Sequence, residues 1–224
     1  MKVVLCKGQF QGPISGADET LVVYATQLRS AGHSPTVLLM YPYQRGDSYY
    51  QRLRRVGVPV ISIASPPVRA SLDVGRKVAS GLLRNFPLTR HMVRQKAHKI
   101  SARVNGRYLR PCQDFLERHR PDLIHVVTPD PSAMTFIRAA HGANVPVLYQ
   151  ELGMPFHPPG FEACYERFTA VLPLCTEVST LSPALAEQCR ELLPHVGEIS
   201  VLPIMAEDTQ RAAAGARRSA GEVT

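Results

Sequence analysis

The residues whose types and spacing could do chemistry are few. Gly8, Gly12 and Gly16 recur every four residues behind a short apolar run, with Pro13 between the last two. A glycine-rich turn of this kind lets the backbone come close to a ligand. It also aims amide N–H groups and the positive end of the following helix at an anion. The dinucleotide fingerprint needs glycines two and three apart, so NAD binding is disfavoured, and no Gly-Lys-Ser/Thr closes the turn as in a P-loop. A tight strand-to-helix turn with no ligand would use the same residues. Two carboxylates stand at places where open α/β sheets put ligands: Asp130 after the fourth predicted strand and Glu151 after the fifth. Glu151 is read as a group that orients a substrate hydroxyl, as a base, or as a solvated loop acid.

The histidines read as structural. His125 lies inside an apolar strand, where a hydrogen-bonded core residue is the simpler reading. His33 follows a helix-ending glycine and suits the helix's last carbonyls. His91 and His98 are seven apart with no third ligand nearby, and there is no H-E-x-x-H or Cys/His cluster, so no metal site is expected. The five cysteines are odd in number and form no C-x-x-C pair, which suits buried reduced thiols in a reducing compartment.

These positions require a scaffold, and the chain predicts one. Strands are expected at the N-terminal run ending at Cys6, at Thr36 to Met40, Gly57 to Ile63, Leu123 to Val127, Val145 to Tyr149, Glu177 to Leu181 and Glu198 to Leu202. Helical patterns fall between them, over Asp18 to Ala31, Tyr50 to Arg55, Val104 to His119, Ser132 to Ala140, Phe161 to Leu174 and Ser182 to Leu193. Ser132 and Ser182 are placed to cap their helices. Asp18 and Glu19 suit the first turn of theirs by charge alone. Gln150 to Pro159 reads as a loop. The expected fold class is α/β, a Rossmann-like three-layer sandwich around a mostly parallel sheet of about seven strands. The domain spans 1–205, with a basic helical insert at about 66–120, and 206–224 reads as a disordered tail or linker.

The chain has 224 residues and a net charge of +8, unevenly placed. Between Pro66 and Arg120, thirteen cations face three acids, so that segment alone carries +10 and the remainder sums to −2. Arg84, Arg90, Arg94, Lys96 and Lys99 surround Phe86, Leu88 and Met92, a mixture suited to an anionic membrane surface as well as to a solvated helical face. No nucleic-acid module accompanies the charge, so nucleic acid is an unlikely partner. The apolar N-terminal stretch is too short for a signal peptide, no run is long enough for a membrane span, and a cytoplasmic location is expected, peripheral on the membrane's inner face if the basic segment binds it.

Four stretches taken together resemble the N-terminal half of family 4 glycosyltransferases of the two-Rossmann, GT-B type. The first is the opening strand with Gly12-Pro13-Ile14-Ser15-Gly16-Ala17-Asp18-Glu19. The others are Leu28-Arg29-Ser30-Ala31-Gly32-His33, Pro121-Asp122-Leu123-Ile124-His125-Val126, and Glu177-Val178-Ser179-Thr180-Leu181-Ser182 with Pro183-Ala184-Leu185. The resemblance runs from Met1 to about Ile204. It implies an acceptor-binding domain of a retaining enzyme that takes a nucleotide sugar as co-substrate, with no tightly bound cofactor or metal. The donor-binding half, which in the family holds the nucleotide sugar through a pair of glutamates, is expected to be missing from this chain, leaving it inactive alone unless a separate donor-binding domain completes it. Gly12, Gly16, Asp130 and Glu151 are the implied substrate contacts, with Glu151 as the catalytic candidate and a sugar or lipid-linked molecule as acceptor. Two departures stand out. The family's Asn-Gly after the last strand is replaced by Leu202-Pro203-Ile204-Met205, and its His or His-Asp after the fifth strand by Gln150-Glu151. The other class of reading is a non-catalytic Rossmann-like binding protein that uses its basic segment on an anionic membrane or a partner protein.

Overall fold

The computed structural model describes residues 1–12, 15–44, 46–65, 100, 103–127, 131–153 and 167–204. Seven strands lie in one sheet: β1 (Lys2–Lys7), β2 (Ser34–Leu39), β3 (Val60–Ser62), β4 (Leu123–Val127), β5 (Val147–Glu151), β6 (Glu177–Thr180) and β7 (Ile199–Val201). All pair in parallel, in the order β3-β2-β1-β4-β5-β6-β7. The first three strands therefore build outward from β1 in one direction. β4 returns to the other side of β1, and the rest build the opposite way. That reversal, between β1 and β4, is where a doubly wound sheet opens a crevice at its carboxyl edge.

Helices α1 (Gly16–Ser30) and α2 (Ser48–Arg55) cover one face, and α3 (Leu109–His119), α4 (Ala133–Gly142) and α5 (Pro183–Leu192) the other. Right-handed crossovers force this division, because connections running in opposite directions along a sheet must pass on opposite faces. Alternation within β1 supplies both cores. Val3 and Leu5 pack with Leu21, Val22, Ala25 and Leu53, whereas Val4 and Cys6 pack with Phe115, Phe136 and Ile137. A strand buried on both faces must be apolar throughout, which is why its sequence shows no polar alternation.

Caps set several boundaries. Ser15 Oγ accepts from the Asp18 N–H, Asp47 from Tyr49 and Tyr50, and Ser182 from Leu185 with Pro183 behind it. Gly32 and Gly57 take positive φ, at +81° and +71°, where helices turn back into strands. Ser132 departs from the sequence reading. It sits at the N-cap position in helical backbone and makes no capping side-chain bond. Strand limits also shift: β5 runs on through Glu151, so Gln150 and Glu151 are strand residues, not loop residues. Before the final helix of the Val104 to His119 pattern, residues 103–106 are helical and 107–108 form a turn. Of the Phe161 to Leu174 helix, residues 167–169 are helical and Leu172–Leu174 form a 3-10 turn, while 161–166 lie outside the described residues. So do the segments 66–99 and 205–224. No helix among the described residues is long and apolar enough to cross a membrane.

Candidate functional site at the carboxyl edge of the sheet

β1 ends in Lys7, and the chain then turns through Gly8 to Gly12 before α1 begins. Gly12 has φ +119°, a conformation that a residue with a Cβ rarely adopts, so the turn requires glycine there. Gly16 is different. It is the first residue of α1, and a Cβ built on it meets nothing within 4 Å. Neither packing nor backbone strain demands a glycine at that position. Tyr49, reaching across from α2, receives the Ser15 N–H at 2.9 Å and donates to the Ser15 carbonyl at 3.3 Å, fixing the mouth of the helix.

Beneath the turn lies a pair that the macrodipole reading of Asp18 does not anticipate. Lys7 Nζ donates to Asp18 Oδ1 at 2.5 Å with both side chains fully buried, and Asp18 Oδ2 accepts the Gln11 N–H at 2.7 Å. One carboxylate thus binds the end of β1, the glycine turn and the first turn of α1 to each other. The sequence signal was available: a lysine ending an otherwise apolar buried strand must find an anion. Glu19, its neighbour, makes a bidentate pair with Arg52 of α2, both contacts at 2.6 Å, on a half-exposed surface. Arg52 holds the Glu19 carboxyl below the usual range chiefly by hydrogen bonding.

Glu151 is the last residue of β5, and it is buried, so the solvated-acid reading fails. Its Oε2 accepts the Tyr149 hydroxyl at 2.7 Å and its Oε1 the Gly153 N–H at 3.2 Å. Burial pushes its pKa up, opposed by these bonds. The carboxyl is therefore a group with raised proton affinity, pinned at the sheet's edge. Gln150, one residue earlier, points to the opposite face and is wholly buried. Its Oε1 lies 3.1 Å from His125 Nε2, and its Nε2 donates to the Tyr24 hydroxyl at 3.1 Å and to the Leu202 carbonyl at 2.7 Å. A carbonyl can only accept, so the amide orientation is fixed and His125 must donate from Nε2. Burial pulls the His125 pKa down to about 4, leaving the ring neutral, as a hydrogen-bonded core residue. His33 bonds the Leu28 carbonyl through its backbone N–H, while its ring lies 3.5 Å from the Met1 ammonium.

The structure brings Gly12, Gly16 and Glu151 to one edge of the sheet, with Gly12 and Gly16 beside β1 and Glu151 two strands along, past β4. Asp130, Arg84, Arg90, Arg94, Lys96 and Lys99 lie outside the described residues. At the opposite, amino edge, a groove of about 550 Å³ lies between Leu172, Glu177, His195 and Glu198, with Ser200 Oγ bonded to Glu177 at 2.5 Å. It lies away from the switch point, where the fold predicts ligands. Among the described residues, no three His, Cys, Asp or Glu side chains gather as a metal site would need.

The chain's likenesses agree with this fold. The family described as "Glycosyl transferase 4-like domain" matches residues 15–204. No curated protein matches the sequence. Among solved structures, the chain is similar to apo UGT2 of Phytolacca americana, at 10% identity and a TM-score of 0.57, covering 92% of this chain and 52% of that one. It is also similar to S. aureus MnaA in its co-structure with UDP, at 10% identity and a TM-score of 0.54, covering 89% of this chain and 43% of the other. UDP-GlcNAc 2-epimerase from Neisseria meningitidis bound to UDP-GlcNAc gives 11% identity and a TM-score of 0.54, with 90% and 46% covered. At these identities the likeness is one of fold. The chain spans about half the length of each of these proteins.

Proposed function

The chain belongs to the glycosyl transferase 4-like domain family, and on that premise we propose that it is the acceptor-binding half of a retaining glycosyltransferase that uses a nucleotide sugar. The observation that carries this reading is the family match over residues 15–204 on a parallel sheet with its switch point between β1 and β4. The two-to-one length ratio to its structural neighbours supports it, as do the UDP and UDP-GlcNAc named in two of them. In this reading a donor-binding half, on a separate chain or a further domain, docks over the carboxyl edge, and transfer takes place between the two.

The proposed roles follow from placement. Gly12 and Gly16 leave room for an acceptor, or for a phosphate of a donor held chiefly by the other half, to approach the N-terminus of α1, where amide N–H groups and the helix dipole favour an anion. The open space above Gly16 supports this, since the fold alone does not call for a glycine there. Glu151 is assigned to the acceptor's reacting hydroxyl. Its raised proton affinity suits a group that accepts a proton as the hydroxyl oxygen attacks. Asp130, after β4, would complete the acceptor contacts. Arg84, Arg90, Arg94, Lys96 and Lys99 are assigned to an anionic membrane surface or a lipid-linked acceptor, each contributing roughly 1 kcal/mol of attraction. The domain in this reading is 1–205 with a basic insert at about 66–120 and a linker from 206, working on the cytoplasmic side of a membrane.

One observation favours a second reading, a non-catalytic binding protein: both Glu151 oxygens are already taken by the chain itself. Thermal unfolding with and without a panel of nucleotide sugars, together with salt-dependent binding to anionic vesicles, separates the possibilities. The half-enzyme reading expects no shift with nucleotide sugars and vesicle binding that weakens as salt rises. A shift of several degrees with a nucleotide sugar would place donor contacts in this half and sink that reading. Failure of a supplied donor-binding half to restore transfer would favour the non-catalytic one.

A further inference from the structure

Leu202, the first residue after β7, is held on both sides of its peptide. Its N–H donates to the Thr180 carbonyl at the end of β6 at 2.7 Å, and its carbonyl accepts Gln150 Nε2 from β5 at 2.7 Å. The N–H bond continues the β6–β7 ladder, but the carbonyl is reached by a side chain from β5, two strands away, which draws this outermost segment toward β5. The residue that draws it there has no freedom of its own: Gln150 is wholly buried, and its amide is bonded to three elements that come from residues 126, 52 and 25 positions away.

We propose that Gln150 is a positioning residue that sets the direction in which the chain leaves the domain. By holding the Leu202 carbonyl it draws the residues just past β7 toward the carboxyl end of β5, on the face that the Gln150 side chain occupies and opposite the one Glu151 occupies. Tyr24 and neutral His125 hold the amide in place, and the Leu202 carbonyl, which can only accept, sets its orientation. Tyr24 takes the other N–H and His125 donates to the oxygen, whereas a flipped amide would face the Leu202 carbonyl with an oxygen and lose that bond. The inference concerns the geometry of the exit and holds whether or not the glycosyltransferase reading does.

The test is hydrogen–deuterium exchange on the full chain, comparing the native sequence with Gln150→Met and Tyr24→Phe. The Met variant keeps the side-chain length and removes all three bonds. The expected result is exchange at the Leu202 amide at least tenfold faster in Gln150→Met, with amides of β1 and β4 unchanged. Tyr24→Phe, which removes one bond to Gln150 and leaves Leu202 held, should shift Leu202 less than twofold. Unchanged protection at Leu202 in the Met variant would overturn the proposal. So would a uniform loss across the sheet, or an equal loosening in Tyr24→Phe, because either marks plain core packing. Should Gln150→Met fail to fold, the native protein still decides. Both Gln150 side-chain amide protons should exchange at least a hundredfold slower than those of exposed glutamines, and free exchange would refute the tether.

Discussion

Lys7 Nζ lies 2.5 Å from Asp18 Oδ1, and solvent reaches neither side chain. Buried pairs of this kind cost desolvation to form, and their net worth against an apolar replacement is small. Removing one partner is another matter, because it strands a charge in the core. Asp18→Ala should therefore destabilise the domain by about 3–5 kcal/mol, read as a lowered denaturation midpoint. Lys7→Met with Asp18→Leu together should recover most of that loss. A single variant that costs under 1 kcal/mol would show that the pair is not dry.

Glu19 and Arg52 offer the contrast, since the same types of charge pair at a half-exposed surface. Arg52→Ala should cost no more than about 1 kcal/mol, and less in high salt. The folded carboxyl titrates below its ordinary 4.5, so the pair's contribution is present above that pH and fades as pH falls through the lowered value. A salt-insensitive loss of several kcal/mol would contradict this.

His125 carries the larger pH effect, with the sign running the same way for a different reason. Its folded pKa is about 4 against an ordinary 6.5, so between those values the unfolded chain binds the proton and the folded one does not. Stability is complete above pH 6.5 and drains away toward pH 4, by up to about 3 kcal/mol. Equilibrium unfolding from pH 7 to 4 should show that slope, and His125→Gln should flatten it.

Glu151 works in the opposite direction. Burial raises its folded pKa, so the folded protein prefers the protonated acid, and stability falls as pH rises from 4.5 through the raised value. Glu151→Gln should therefore be neutral or stabilising by about 1 kcal/mol at pH 7. If the reading as acceptor base is right, the same variant abolishes transfer once a donor half is supplied. Loss of activity with gain of stability is the signature to look for.

Burial also holds the thiols protonated. Cys112 and Cys175 are pushed up to about 12 and Cys189 to about 11, and Cys6, buried completely, is raised well above 9.0. Since the thiolate is the reactive form and Cys6, Cys112 and Cys189 are also shut off from solvent, these three should resist a thiol reagent at pH 8 in the folded protein and react on unfolding. Rapid labelling of any of the three in the native state would show an opening that the fold does not contain.

The sequence by itself determined the alternation of strand and helix, the parallel sheet and the family. Each rests on local signals: an apolar run such as Val3 to Cys6, a cap such as Ser182-Pro183, a glycine such as Gly32 where φ must turn positive. Gly12 was legible for the same reason. Where the candidate site lay along the sheet was legible too, because strand ends can be read from the chain. What the side chains do there was not. Glu151 reads as a loop acid beside Gly153, yet pairing with β6 extends β5 and buries it, and a ladder depends on a partner strand some thirty residues away. Asp18 looks like a helix-start acid until Lys7 comes within reach, and Gln150 looks like loop filler until Tyr24, His125 and Leu202 converge on it. Only the tertiary structure decided these, because a polar group's role is set by the partner that replaces its lost water, and that partner is chosen by how the sheet is wound and not by sequence spacing.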